Sequence, residues 1–577
     1  MWRTGLSGGV PARNAGRATR AQPGRRESAP AALVAVVLVA VTVLSCTGCA
    51  GSPATGAASA AASPAATPRA GGTFDYPLRF DVNSLLPFEV VESPEVAHQI
   101  FEGLVAYEAG ADGRLATVPC LAESWEANAD ATVWTFHLRR GVRFQEPVGR
   151  ELTAADVVAD FRYTALDSND ALPAYMNAAI RGTDDDGHVS VAHQDRLGVR
   201  ALDRYTVRFT LKRSFATFPD TLGGAFGWVW PVDYLRRVGR EGFQEQPVGT
   251  GPFVVSRRVV GKYIDLRRNP GWWNAASGQP YLEAVHFEVF KSVTAELRAF
   301  QEGLLDYTFV PQGQVAASRS LPRVESGEWT PLVLPVEATG YACFNMTAPA
   351  ARGAAGLTLR RAVDAAIDRE ALVRAVSDGV YVPQTGVVPP CFAGWEAEQP
   401  PQPYDPAAAG ALYEQAGSPS LTLTVGQDRL GDAVAAYMQE ACRAAGIDLR
   451  VRTIPWESLV ARIGEGRAPA FFLMGWAGDY PSYDNFLYEP YLSALSPYTL
   501  GTCYSDPEVD RLLTLARSTA DPAQHLDLSR RAAHEVEGDK PVLPLFEYAE
   551  YRLLDSRIGG FTVSPLYGLD AWKLWVK

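Results

Sequence analysis

The sequence predicts an α/β protein of several subdomains, and three observations carry that prediction. Strand and helix signals alternate along the whole body of the chain. Its 577 residues are 47% hydrophobic and 20% charged, a globular composition with length for more than one domain. After residue 50, no window holds the roughly 18 consecutive apolar residues that a membrane-spanning helix requires. Taken in order, Val96, Ile100, Phe101 and Leu104 fall at i, i+4, i+5 and i+8, which predicts a helix from about Pro94 to Leu104. Period-two alternation predicts strands over Trp134–Leu138 and Tyr205–Leu211. Thr153, with Asp156 three residues on, reads as a helix start, because the two side chains satisfy amide donors that the first turn leaves unpaired. Asp364–Val376 and Ala433–Ala445 are amphipathic, and the second closes at Gly446 before a strand over Asp448–Ile454.

The N-terminus reads as an address. Arg3, Arg13, Arg17, Arg20, Arg25 and Arg26 precede the apolar run Ala31–Leu44, which is followed by Ser45-Cys46-Thr47-Gly48-Cys49. That is the tripartite layout of an export signal, and a run of about 14 residues is too short to serve as a permanent span. A cysteine behind small residues at this place resembles the bacterial lipobox, whose thiol is diacylated and becomes the mature N-terminus. Two cysteines compete: Cys46 has the apolar residue in the usual place, whereas Cys49 has the favoured Gly before it and is preferred. Residues 1–48 are therefore expected to be a signal. Residues 49–72 are expected to be a flexible tether, since after Cys49 they carry one charge, Arg69, and no large apolar side chain. A lipid anchor on a tether places the body at the outer face of a membrane without embedding it.

Charge and missing motifs exclude several functions. The formal charge is −12, and the first 48 residues carry six Arg and one Glu, or +5, which leaves −17 for the remainder. Nucleic acid and anionic membrane surfaces are disfavoured partners. Cys120, Cys343, Cys391, Cys442 and Cys503 are widely spaced, which in an exported protein allows up to two disulfides with no deducible connectivity. The seven histidines are scattered, and His534-Glu535 lacks the second His of a zinc hydrolase motif. Gly5-Leu6-Ser7-Gly8-Gly9 matches G-x-S-x-G but lies in the basic leader, without the strand and helix that expose a nucleophile. Asp184-Asp185-Asp186-Gly187-His188 lacks the alternating spacing of a calcium loop and reads as a solvated acidic turn. No phosphate-binding G-x-x-x-x-G-K-[ST] loop occurs, so ATP hydrolysis would belong to another protein.

Many short motifs in a fixed order carry a family resemblance from about Gly72 to the C-terminus. They include Ile100-Phe101-Glu102-Gly103-Leu104, Leu121-Ala122-Glu123-Ser124-Trp125, Leu152-Thr153-Ala154-Ala155-Asp156 and Pro247-Val248-Gly249-Thr250-Gly251-Pro252-Phe253. Later come Ala366-Ile367-Asp368-Arg369, Gly475-Trp476-Ala477-Gly478-Asp479-Tyr480-Pro481, Asp506-Pro507-Glu508-Val509-Asp510 and Pro541-Val542-Leu543-Pro544-Leu545-Phe546. The chain resembles the family 5 extracytoplasmic solute-binding proteins of ABC importers, the group that includes oligopeptide-, dipeptide- and nickel-binding proteins.

The resemblance implies a two-lobed periplasmic-binding-protein type II fold with an extra subdomain in one lobe. Residues 73–101, 224–335 and 546–577 would form the first lobe, 102–223 the extra subdomain and 336–545 the second lobe. It implies a monomeric binding protein, not an enzyme, that needs no cofactor or metal. The protein would capture peptides in the interlobe cleft and pass them to a membrane permease driven by a separate ATPase; a non-peptide solute on the same fold and, from another class, an exported hydrolase are the alternatives. In peptide-binding relatives the aspartate matching Asp479 holds the ligand's α-ammonium, and the backbone at Gly475 and Ala477 pairs with the ligand as an added strand. An enclosed ammonium needs such a carboxylate because a desolvated, unpaired charge costs several kcal/mol. Trp476 is expected either to wall the pocket or to fill core. Glu89 and Val91 match a ligand-contacting acidic segment, and Tyr548 matches a ligand-contacting tyrosine. The segment departs from the family at Glu547, where aromatic residues are frequent.

Overall fold

Phe74, Tyr76 and Leu78 are buried at every second position of the strand Thr73–Leu78, the period of a strand with one face on a core. This strand pairs in parallel with Ala284–Val289, and Tyr263–Arg268 and Phe253–Val259 extend the sheet antiparallel. The computed structural model describes residues 67–90, 93–109, 114–166, 177–225, 227–392, 395, 403–562 and 569–577.

Inserted between those strands, Ala122–Ala127, Val133–Leu138, Thr206–Thr210 and Val199–Asp203 form a second four-stranded sheet, antiparallel throughout. The helix Ala154–Thr164 covers it, with the Phe161 ring edge-on to Phe209 at 4.9 Å. Its start is the expected reciprocal cap, in which the Thr153 amide donates to the Asp156 carboxylate at 2.8 Å. A hairpin of Val105–Ala109 and Leu115–Pro119 projects from the same region.

The largest sheet has seven strands. Tyr307–Phe309, Val542–Asp555, Trp329–Phe344, Phe471–Ala477, Leu421–Gly426 and Leu449–Ile454 lie in that order, and Val382–Pro383 adds to Val542–Asp555. Trp329–Phe344 and Val542–Asp555 are long enough to run through two regions of core. Their one end packs with Phe300, Leu305 and Val315, and their other end lies between two apolar layers built around Leu359 and Met438 on one face and Leu512 and Val536 on the other. The pairing of the two long strands is broken between Pro335 and Thr339, where Val336, Glu337 and Ala338 stand opposite Tyr548 alone. The molecule thus has two lobes joined by a bulged two-stranded ribbon.

Two expected helices end differently. The first stops at Ala97, and Glu102–Gly103 turns into a short strand against Trp228–Val229. Gly103 explains this, since a Cβ there would lie 2.2 Å from the Leu222 carbonyl oxygen. The expected Asp364–Val376 helix is two helices, Gly353–Ala365 and Arg369–Ser377, with the Asp368 side chain capping the second through the Ala371 amide at 3.0 Å. Arg429–Ala444 and the strand Leu449–Ile454 follow the sequence reading closely. All five body cysteines are free thiols. Asp184 accepts from the amides of Asp186 and His188, which makes its segment a self-bonded turn.

Candidate interlobe binding site

The strand Phe471–Ala477 alternates its side chains between two destinations. Phe472, Met474 and Trp476 enter one apolar core, while Gly475 and Ala477 lie on the other face and are half-buried. The strand is paired with Trp329–Phe344 along its full length, from Phe344↔Phe471 to Ala338↔Ala477. On its other edge, Leu421–Gly426 pairs with Phe471 and Phe472 alone. From Leu473 to Ala477 that edge is therefore without a neighbouring strand among the described residues, and its amides and carbonyls lie beside the ribbon that joins the lobes.

Asp479 follows two residues beyond the strand and is partly exposed. The Gly478 amide donates to the Glu337 carbonyl at 2.9 Å, which fixes the turn that presents Asp479 at the bulge. Tyr548, in the facing strand, brings its hydroxyl to 3.8 Å from where a Cβ on Gly475 would stand. Its ring packs edge-on against Tyr381 and Phe546 at 5.2 Å each. Asp479, Gly475, Ala477 and Tyr548 are thus assembled in one place.

Trp476 and Glu89 have partners of their own. Trp476 is 5% exposed and its indole donates to Asn485 at 3.0 Å, so of its two expected roles it fills core. Glu89 is held within the first lobe by Arg240 and by the Ser84 hydroxyl at 3.0 Å. Val91 lies outside the described residues, as do Cys46 and Cys49.

Two further acids enter the site. Glu337 occupies the bulge and is 3% exposed; Glu547, the cross-strand partner of Thr339, is 2% exposed. Burial pushes Glu337 well above the usual carboxylate range, and the charge of Glu547 adds to the shift. Burial pushes Glu547 up to about 7, opposed by the Cys391 thiol that donates to it. The Cys391 thiol is itself pushed up by burial and by both carboxyl groups, so it is held neutral. Glu337 was legible in the sequence as the one charged residue among Trp329–Phe344, a signal that the period-two reading passes over. No group of three His, Cys, Asp or Glu able to hold a metal ion occurs among the described residues.

The extra sheet and its hairpin reach the second lobe around this site. The Leu115 amide donates to the Cys391 carbonyl at 2.7 Å, and the Ala216 amide to the Arg517 carbonyl at 2.8 Å. The Arg517 guanidinium lies 4.4 Å from the centre of the Phe215 ring and bonds Asp484 at 2.8 Å. Tyr480, one residue past Asp479, meets Phe215 with ring centres 6.2 Å apart.

Two lobes, a bulged connecting ribbon and an open strand edge at their junction define a solute-binding protein of the two-lobed class. Comparison with known proteins agrees. Residues 116–496 match the model of the bacterial extracellular solute-binding proteins, family 5, and the chain belongs to that family. It is 26% identical over 497 residues to di/tripeptide-binding protein 1 of Pseudomonas aeruginosa, covering 82% of this chain and 88% of that one. Heme-binding protein A of Haemophilus influenzae is 28% identical over 495 residues, covering 82% and 86% respectively. Among solved structures, the unliganded open form of the periplasmic murein tripeptide-binding protein MppA superposes with a TM-score of 0.77 at 21% identity, covering 89% of this chain and 99% of that one. That likeness establishes the two-lobed α/β fold. No helix of the described residues is long and apolar enough to cross a membrane.

Proposed function

We propose that the protein captures di- or oligopeptides between its lobes and delivers them to the permease of an ABC importer, as a monomer moored by a lipid on Cys49 or, alternatively, Cys46. The observation that carries this reading is the edge of Leu473–Ala477 that has no neighbouring strand among the described residues, followed two residues on by Asp479. A peptide laid along that edge gains main-chain hydrogen bonds whatever its side chains, which suits mixed cargo. Asp479 then takes its α-ammonium, and Tyr548 supplies a hydroxyl to its backbone. The printed names of several relatives, di- and tripeptide-binding proteins, support the same cargo.

In this reading the lobes move about the bulged ribbon near Pro335–Thr339, so that residues 336–545 and the two flanking parts of the first lobe close on the ligand. A ligand favours closure only as far as it binds the closed arrangement more tightly, and contacts from both lobes supply that difference. No bond is made or broken, and the energy for transport comes from a separate ATPase.

Calorimetry with Ala-Ala-Ala and its N-acetylated form tests the assignment. The free peptide should bind, the acetylated one should bind at least about a hundredfold more weakly, and Asp479→Ala should lose several kcal/mol on the free peptide alone. Equal binding of the two peptides, or an unchanged affinity in the variant, contradicts it.

A further inference from the structure

Glu337 and Glu547 are the unusual feature of this site. Both are buried acids, and both oxygens of Glu337 and one of Glu547 lack a hydrogen-bond donor among the described residues. The second Glu547 oxygen meets only the weak Cys391 thiol donor. Neither residue forms an ion pair among the described residues. Buried polar atoms are overwhelmingly satisfied in native proteins, so three orphan acceptors in one place call for donors from outside the chain.

Their position says which donors. The Glu337 carboxyl oxygen lies 3.4 Å from where a Cβ on Gly478 would stand, immediately before Asp479, and Glu547 immediately precedes Tyr548. The bulge from Val336 to Ala338 turns Glu337 toward this junction, and Thr339 sets Glu547 across from it. Once ionised, the two carboxylates offer acceptors alone, and these match a group with several N–H donors and a positive charge, which is an ammonium or a guanidinium. A metal ion fits less well, because the nearby thiol is held neutral and no group of three His, Cys, Asp or Glu able to hold one occurs among the described residues.

We propose that Glu337 and Glu547 form a second cation subsite beside Asp479, selecting ligands that carry an ammonium or guanidinium in addition to the one Asp479 takes. This rests on the reading of Asp479 given above. The second cation comes either from the side chain of an N-terminal Lys or Arg residue of a peptide or from the far end of a free diamine.

Calorimetry on the purified protein at neutral pH separates these cases. The probes are Lys-Ala-Ala, its uncharged near-isostere norleucine-Ala-Ala, and 1,5-diaminopentane. The Lys peptide should bind at least about tenfold more tightly than the norleucine peptide. Glu337→Gln and Glu547→Gln should each cut that ratio below about threefold by weakening Lys-Ala-Ala far more than norleucine-Ala-Ala, a selective loss that a merely structural role would not produce. Binding of diaminopentane with neither peptide supports the subsite and overturns peptide capture. Equal binding of the two peptides by the unaltered protein, both weakened by Asp479→Ala, overturns the subsite and leaves peptide capture standing. Should either Gln variant fail to fold, the ratio measured on the unaltered protein decides alone.

Discussion

Burial displaces the titration of Glu547. Its carboxyl is raised to about 7 by burial, from an ordinary value near 4.5. Between about pH 4.5 and pH 7 the unfolded chain has released this proton while the folded protein retains it, so stability falls across that window and levels off above it. A shift of that size corresponds to about 3 kcal/mol between pH 4 and pH 8. Glu547→Gln removes the titration, so its gain in melting temperature over the unaltered protein should be larger at pH 8 than at pH 5. An equal difference at both pH values contradicts the burial argument. Glu102 shows the opposite arrangement, a half-buried acid with its donors in hand: Thr250, Trp272 and Trp273 donate to it at 2.7, 2.9 and 3.0 Å. The contrast isolates what is unusual about the pair at the bulge. Asp479 was legible in the sequence through its motif, and Glu547 through its departure from one. For Glu337 the sequence shows a lone charge within a strand but not its place at the site, because a bulge is a property of strand pairing that one strand's sequence does not reveal.

Among the elements, the strands and caps follow from local pattern, and the errors lie where distant groups intervene. The break between Gly353–Ala365 and Arg369–Ser377 is an example. Asp364, 2% exposed, is held by Arg369 at 2.5 Å and by Lys540 at 2.7 Å, the latter from a segment 176 positions away. Burial opposes its ionisation, but Arg369 and Lys540 outweigh this and hold its pKa below the usual carboxylate value. Asp364→Asn leaves two cations without their partner and should cost about 3–5 kcal/mol at pH 7 in chemical denaturation. The lowered pKa sets the sign: this stabilisation is present above the ordinary carboxylate range and fades as pH falls below it, so the variant's deficit should shrink toward pH 3. A deficit that is constant with pH would assign the cost to packing. The motif from Gly475 to Asp479 pointed to the strand Phe471–Ala477, whose edge is open from Leu473 onward among the described residues, yet Trp476 was resolved only by the fold, since alternation sends it to the core face opposite Gly475.

For the molecule as a whole, the resemblance carried by ordered motifs implied two lobes and an extra subdomain, while most of the expected tether, residues 49–72, lies outside the described residues. The contacts between lobes were not legible. Leu115 with Cys391, Ala216 with Arg517 and Phe215 with Tyr480 join residues hundreds of positions apart, and each looks like an ordinary loop or core residue in isolation. In the proposed reading, a guest held at the open strand edge touches both lobes and biases their closure. A crystal structure with bound Lys-Ala-Ala tests this most directly. The account predicts the α-ammonium at hydrogen-bond distance from Asp479, the peptide backbone paired with Leu473–Ala477 and the lysine ammonium between Glu337 and Glu547. A peptide lodged away from that edge, with Asp479 making no contact to it, would contradict the account.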